Sequence, residues 1–204
     1  MKSLLFALLV LVPTSAFADI TFVVKEDSTS YTIYIKGQKA RIEYEQPSTP
    51  PRPVYEVVDL KAQRYVIVDR TTGRAVDLPF DLTAEAESVK VMTEGQEFRL
   101  RATGQERMVN GFPCKEYRVA VGGPFPKDVT YWVTDTVDIT EFDLFRQKVD
   151  KAFAQLGPDV RKIPGMPIRV EVVIRNGPPT PSTIEVTRVS REPLADSLFA
   201  IPAR

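Results

Sequence analysis

Four carboxylates come nearest to a reactive set in this chain of 204 residues. Glu43 and Glu45 lie on one side of a strand-like stretch, and Asp59 and Asp69 end the two stretches that follow. Two converging acids can hydrolyse a glycoside, one as general acid and the other as nucleophile or base. Acids that alternate with apolar residues are more simply the wet side of a sheet, so a carboxylate-dependent hydrolase is the third and weakest reading. The run Asp135, Asp138, Glu141 and Asp143 lacks the central glycine and oxygen spacing of a calcium loop. It reads instead as acidic charge at a helix N-terminus.

The sequence has no histidine. The commonest general base at neutral pH is therefore missing, and with it the Ser-His and Cys-His nucleophile pairs and imidazole zinc sites. Nucleophile-elbow, dinucleotide-binding and phosphate-loop glycine motifs are absent as well. The single cysteine, Cys114, rules out an internal disulfide and a Cys-x-x-Cys site, and it reads as a packing residue. We expect a non-enzyme without catalytic residues, metal or cofactor.

What remains is apolar. Ile139, Phe142, Phe145, Val149, Phe153 and Leu156 recur at spacings of three and four, one stripe of a helix. Tyr131 and Trp132 stand on the strand just before it. These two and Phe142, Phe145, Val149, Phe153 and Leu156 are the candidate lining of an apolar ligand site. Burying the five stripe residues stabilises by roughly 7–15 kcal/mol, and an acyl chain of about fourteen carbons offers roughly 11. Such a chain can therefore compete with the helix for the sheet. A helix permanently packed on the core is the plainer alternative.

The elements that must position these residues are mostly strands. Tyr31, Ile33 and Ile35, and then Ala40, Ile42 and Tyr44, alternate with polar residues around Gly37-Gln38, which predicts a hairpin. Val54 to Leu60 and Arg64 to Arg70 predict a second, followed by Arg74 to Leu78. Further strands are expected at Phe98 to Ala102, Tyr117 to Val121, Val129 to Val133, Ile168 to Ile174 and Thr183 to Val189. Leu82 to Met92 reads as either helix or irregular chain. Capping acids Asp138 and Glu141 start the predicted helix, and Gly157-Pro158 ends it. The expected fold is mostly β: a curved antiparallel sheet, or incomplete β-barrel, of about ten strands. One main amphipathic helix covers its concave face.

The first 18 residues have another purpose. Lys2 precedes a nine-residue apolar run, Leu4 to Val12; Pro13 breaks it, and Ala16-Phe17-Ala18 places small residues before a cut. This is a signal-peptide layout, too short to span a membrane. We expect residues 1–18 to be removed and 19–204 to form one soluble domain outside the cytoplasm. No cysteine follows the run to take a lipid anchor. Basic and acidic residues balance at 27 each in the whole chain, which gives no long-range field to attract nucleic acid.

Four segments resemble a known family: Tyr65-Val66-Ile67-Val68-Asp69, Val109-Asn110-Gly111-Phe112-Pro113-Cys114-Lys115-Glu116-Tyr117-Arg118-Val119, Tyr131-Trp132-Val133-Thr134, and Leu194-Ala195-Asp196-Ser197-Leu198-Phe199-Ala200-Ile201-Pro202. They are similar, in order, to the exported bacterial family of domain of unknown function 4412, related to the outer-membrane lipoprotein carrier and receptor (LolA/LolB-like) fold. The resemblance implies a half β-barrel whose open apolar side is covered by helices. In the carriers that cavity holds lipoprotein acyl chains crossing the periplasm. The implied function is a periplasmic binding or carrier protein for a lipid or lipoprotein. The alternative is an envelope protein-interaction module with a filled core, whose partner is another envelope protein.

Overall fold

A computed structural model describes residues 19–45, 54–79, 98–123, 126–137, 163–175 and 181–202. The predicted helix, the Leu82 to Met92 stretch and the signal segment lie outside these residues. The described chain forms eleven strands: β1 (Ile20–Glu26), β2 (Thr29–Lys36), β3 (Lys39–Glu45), β4 (Val54–Asp59), β5 (Arg64–Asp69), β6 (Ala75–Leu78), β7 (Phe98–Val109), β8 (Phe112–Val121), β9 (Lys127–Thr134), β10 (Met166–Ile174) and β11 (Ser182–Ser190). All belong to one antiparallel sheet in the order β6-β5-β4-β3-β2-β1-β11-β10-β9-β8-β7. Two meanders thus meet where the first strand pairs with the last. The sheet is not closed into a barrel, since β6 and β7 form its two edges.

The expected ten strands become eleven because β1 follows directly on the signal-like segment. Its run Ile20-Thr21-Phe22-Val23-Val24 breaks the alternation at Val23. A second correction concerns length. β7 and β8 extend to a tight turn at Asn110-Gly111, both with positive φ (49° and 84°), the pairing that two-residue hairpin turns favour. The charged stretch before that turn hides the extension, since a register shift between Ala102 and Glu106 breaks the period-two pattern.

One side of the sheet is apolar across both meanders. Phe22 stands beside Ile33, and Ile33 beside Ile42. Across the junction Val24 pairs with Val186, and Ile184 with Val170. Tyr131 follows beside Val170, and Tyr117 beside Tyr131. All of these are buried except Tyr117, which is half-buried against the same core.

A smaller core of Tyr55, Val57, Val66 and Val68 forms on β4 and β5, with Ile201 packed on it. Tyr55 and Val57 alternate with Glu56 and Val58, so this core lies on the opposite side. The C-terminal segment closes it: Arg41 Nη1 donates to the Leu198 carbonyl at 2.7 Å, and Phe199 is buried. Lys36 Nζ donates to the Leu194 carbonyl and pairs with Asp196 at 3.0 Å. The Asp196-to-Pro202 segment therefore has a structural role, sealing the back of β3 to β5.

Candidate apolar ligand site

Successive residues of a strand face opposite ways, and Tyr131 and Trp132 do so. Tyr131 is fully buried on the apolar side, between Val170 and Tyr117. Trp132 is buried beneath the far end of the β7–β8 hairpin, where the Arg107 guanidinium carbon lies 3.7 Å from its ring centroid. Phe142, Phe145, Val149, Phe153 and Leu156 lie outside the described residues.

Beside that hairpin a cleft of about 360 Å³ opens, within the size range of small-ligand sites. Met108, Pro113, Cys114, Tyr117 and Val133 supply its apolar lining, while Glu106, Arg107, Lys115 and Asp135 supply charge. Met108 is 64% exposed, a large apolar side chain held open to solvent at the cleft. Cys114 lies in the wall and is only 2% exposed. Burial pushes its thiol up from the ordinary value, against the pull of Arg107. The thiol is therefore protonated at neutral pH and a weak nucleophile. The packing role read from the sequence matches this burial.

Glu116 is the feature that sequence reasoning missed. It looks like an outward polar residue of an alternating strand, yet it is 3% exposed. Thr103 Oγ1 donates to its Oε2 at 2.6 Å, and Arg118 donates twice to Oε1, at 3.0 Å and 2.9 Å. Burial alone raises this carboxyl. The hydrogen bonds from Thr103 and Arg118, with the charges of Arg118 and Arg107, reverse that and hold it below the ordinary glutamate value. The network anchors the β7 register shift, because Thr103 also accepts from the Gln105 N–H. The available signal was Arg118 two residues beyond Glu116, on the same strand face.

The apolar side carries a polar corner on the first meander. Tyr44 and Tyr65 hydroxyls donate to the two oxygens of Glu56, at 3.1 Å and 2.5 Å. The Tyr31 and Tyr44 rings lie 5.8 Å apart. Burial, reinforced by Glu56, pushes the Tyr44 hydroxyl well above its usual range. Burial and then Asp27 raise the Glu26 carboxyl. This corner can hydrogen-bond a polar head, whereas the remainder of the surface offers apolar contact.

Three of the four carboxylates first singled out are otherwise committed. Glu43 pairs with Arg41 at 2.6 Å and Arg70 at 2.8 Å, and Glu45 is exposed. Asp59 accepts from the Ala62 N–H, and Asp69 from the Thr71 and Thr72 N–H groups, so both close turns. No two of them line a described cleft. Among the described residues no group of acids and cysteine has metal-ligand geometry. Nor is any described helix long and apolar enough to cross a membrane.

The described residues define a class of fold: an open eleven-stranded antiparallel sheet with a continuous apolar side across both meanders. Within it the chain belongs to the family described as a domain of unknown function, DUF4412, whose model matches residues 18–204. No curated protein sequence matches it. Among solved structures, it is similar to a chain of the Pseudomonas aeruginosa MucA/MucB complex, with a TM-score of 0.50 and 11% identity over 89% of this chain. It spans 55% of that longer chain. A LolA-superfamily protein from Nitrosomonas europaea matches at a TM-score of 0.33 and 8% identity, over 89% of this chain and 88% of the other.

Proposed function

We propose that this protein is a periplasmic, non-catalytic carrier or binding protein for an apolar ligand, a lipid or a lipoprotein acyl chain. In this reading residues 1–18 are a signal peptide cut after Ala18, and 19–204 are the working domain.

The observation that carries the reading is the continuous apolar side, which runs from β3 through β1, β11 and β10 to β8 on an unclosed sheet. The ligand lies against this side and reaches the cleft beside Met108, Cys114 and Tyr117. In this reading Phe142, Phe145, Val149, Phe153 and Leu156, one helical stripe by their spacing, would yield their place on the sheet to the ligand. Burying an acyl chain yields about 0.8 kcal/mol per methylene, enough for stable binding by a chain of ordinary length. The test is titration of the purified mature protein with a fluorescent fatty acid. Saturable binding that unlabelled lipid reverses supports the reading, and a flat titration contradicts it.

A second reading, an envelope protein-interaction module, is favoured by the twelve-residue edge strand β7, which among the described residues pairs on one side only. An extended partner segment would add to such an edge through main-chain hydrogen bonds. The MucA/MucB structure, itself a complex of two proteins, supports this reading at the level of the fold.

A further inference from the structure

The junction between the two meanders is uneven. β11 pairs with β1 from Thr21–Ser190 to Glu26–Ile184, nearly its whole length. With β10 it pairs over four positions only, Arg169–Glu185 to Val172–Ser182, although each strand has nine residues. The sheet is therefore two leaves, β1 to β6 with β11 and β7 to β10, joined by a short seam.

The place where the seam stops has a local cause. Main-chain groups of a strand point alternately to its two neighbours. The Thr183 carbonyl points to the β1 side, where the Asp27 N–H takes it at 3.0 Å. Val186, three residues on, therefore turns its carbonyl to the β10 side, where the next rung would join it to Ile168. That rung does not form. Ile168 is the extra residue of a bulge, since Pro167 faces Val133 while Arg169 already faces Trp132. A buried carbonyl without a donor is costly. The donor comes from the other leaf: Asn110 Nδ2, at the tip of the β7–β8 hairpin, donates to the Val186 carbonyl at 2.9 Å. One further tie crosses the seam, Arg169 Nη1 to Glu185 Oε1 at 2.5 Å.

We propose that the β10–β11 seam is a hinge between the two leaves, that the Asn110 side chain is its latch, and that opening the hinge releases the apolar cargo. The last clause rests on the carrier reading; the hinge and latch do not. Cargo lying across both leaves loses contact with one of them when the seam parts. A side-chain hydrogen bond is a suitable latch because its net strength is small. It changes the open population without unfolding either leaf.

The experiment is residue-resolved hydrogen exchange on the mature protein and on Asn110→Gly, with release of a fluorescent fatty acid measured in parallel. Glycine keeps the positive φ of this turn position, so only the donor is lost. Amides of Val170, Val172 and Ile184 are expected to exchange faster than those of Ile33 and Ile42 in β2 and β3. Asn110→Gly is expected to speed the seam amides between about two- and tenfold, the factor that one hydrogen bond is worth, and to leave β2–β3 unchanged. Asn110→Asp, which sets a carboxylate against the Val186 carbonyl, is expected to do more. Probe release should quicken by the same factors. Seam amides that exchange only together with β2–β3, in both proteins, would overturn the hinge. Faster seam exchange with unaltered probe release overturns the release clause. Faster seam exchange in a chain that takes up no probe contradicts the carrier reading and leaves the hinge standing.

Discussion

Arg107 lies over the face of Trp132, its guanidinium carbon 3.7 Å from the ring centroid, and so fastens the far end of the β7–β8 hairpin to β9. Trp132 pairs with Glu116 on one side and Arg169 on the other, so one cation caps the strand that leads to the seam. The contact holds the cleft wall against β9 within the second leaf.

Trp132 is the only tryptophan of the chain, which makes the contact directly observable. Removing the cation as Arg107→Ala should destabilise the protein by about 1 kcal/mol and shift the emission to longer wavelength as water reaches the indole. Denaturant unfolding followed by fluorescence measures both. An unshifted spectrum in the variant would mean that Arg107 does not cover Trp132 in solution.

Glu116 predicts an acid-sensitive step. Its folded carboxyl sits below its unfolded value. The folded state therefore gains stability from the ionised form, fully present above the ordinary glutamate range. That gain is lost as pH falls from there through the depressed folded value. Arg118 is largely exposed, so its share of the effect is screened by solvent and salt. Glu116→Gln should flatten the acid limb of the stability-against-pH curve in that window, and lower stability at neutral pH. Parallel acid limbs in the two proteins would show that another group titrates there.

Gly165 should tolerate no side chain. Its φ is +94°, and an added Cβ would collide with the Thr134 main-chain carbonyl oxygen. The obstacle is backbone, which cannot swing aside, so β9 and β10 would have to part at Met166–Thr134. Gly165→Ala is expected to cost about 2 kcal/mol or more, read as a fall in Tm. A variant as stable as the parent would contradict the close approach of these two strands.

Most strands were legible because a half-buried antiparallel strand writes its two faces directly into the sequence. Tyr31-Thr32-Ile33-Tyr34-Ile35 is such a case, and β2 carries Tyr31, Ile33 and Ile35 inward. Alternation failed where both sides of a strand are covered. Thus β9 is buried continuously from Tyr131 to Thr134, and that pattern does not tell which residue meets a ligand and which meets the hairpin. It failed also at bulges. The shift around Ile168 in β10 exchanges inside for outside. Glu116, on the regular strand β8, was hidden because its cover comes from Thr103 at the β7 irregularity, a contact that the alternation of β8 does not record. The latch was illegible for another reason. Asn110-Gly111 announces a turn, but the 76-residue step from Asn110 to Val186 is a tertiary relation that no local pattern records.

Export carries its own prediction. Produced with its leader in a Gram-negative host, the protein should appear in the periplasmic fraction with Asp19 as its first residue. N-terminal sequencing decides the matter, and an intact Met1 in that fraction would contradict cleavage after Ala18. Asp19 already serves the fold, since its Oδ2 accepts from the Leu194 N–H at 2.7 Å.

The central claim, that the apolar side exists to hold a lipid, is tested most directly by native mass spectrometry of protein purified from its own host without detergent. A discrete added mass is expected, one that collisional activation releases and lipid extraction identifies as an acyl-bearing molecule. Protein that flies at its bare chain mass, and stays bare after incubation with lipid extract of the same envelope, would contradict it.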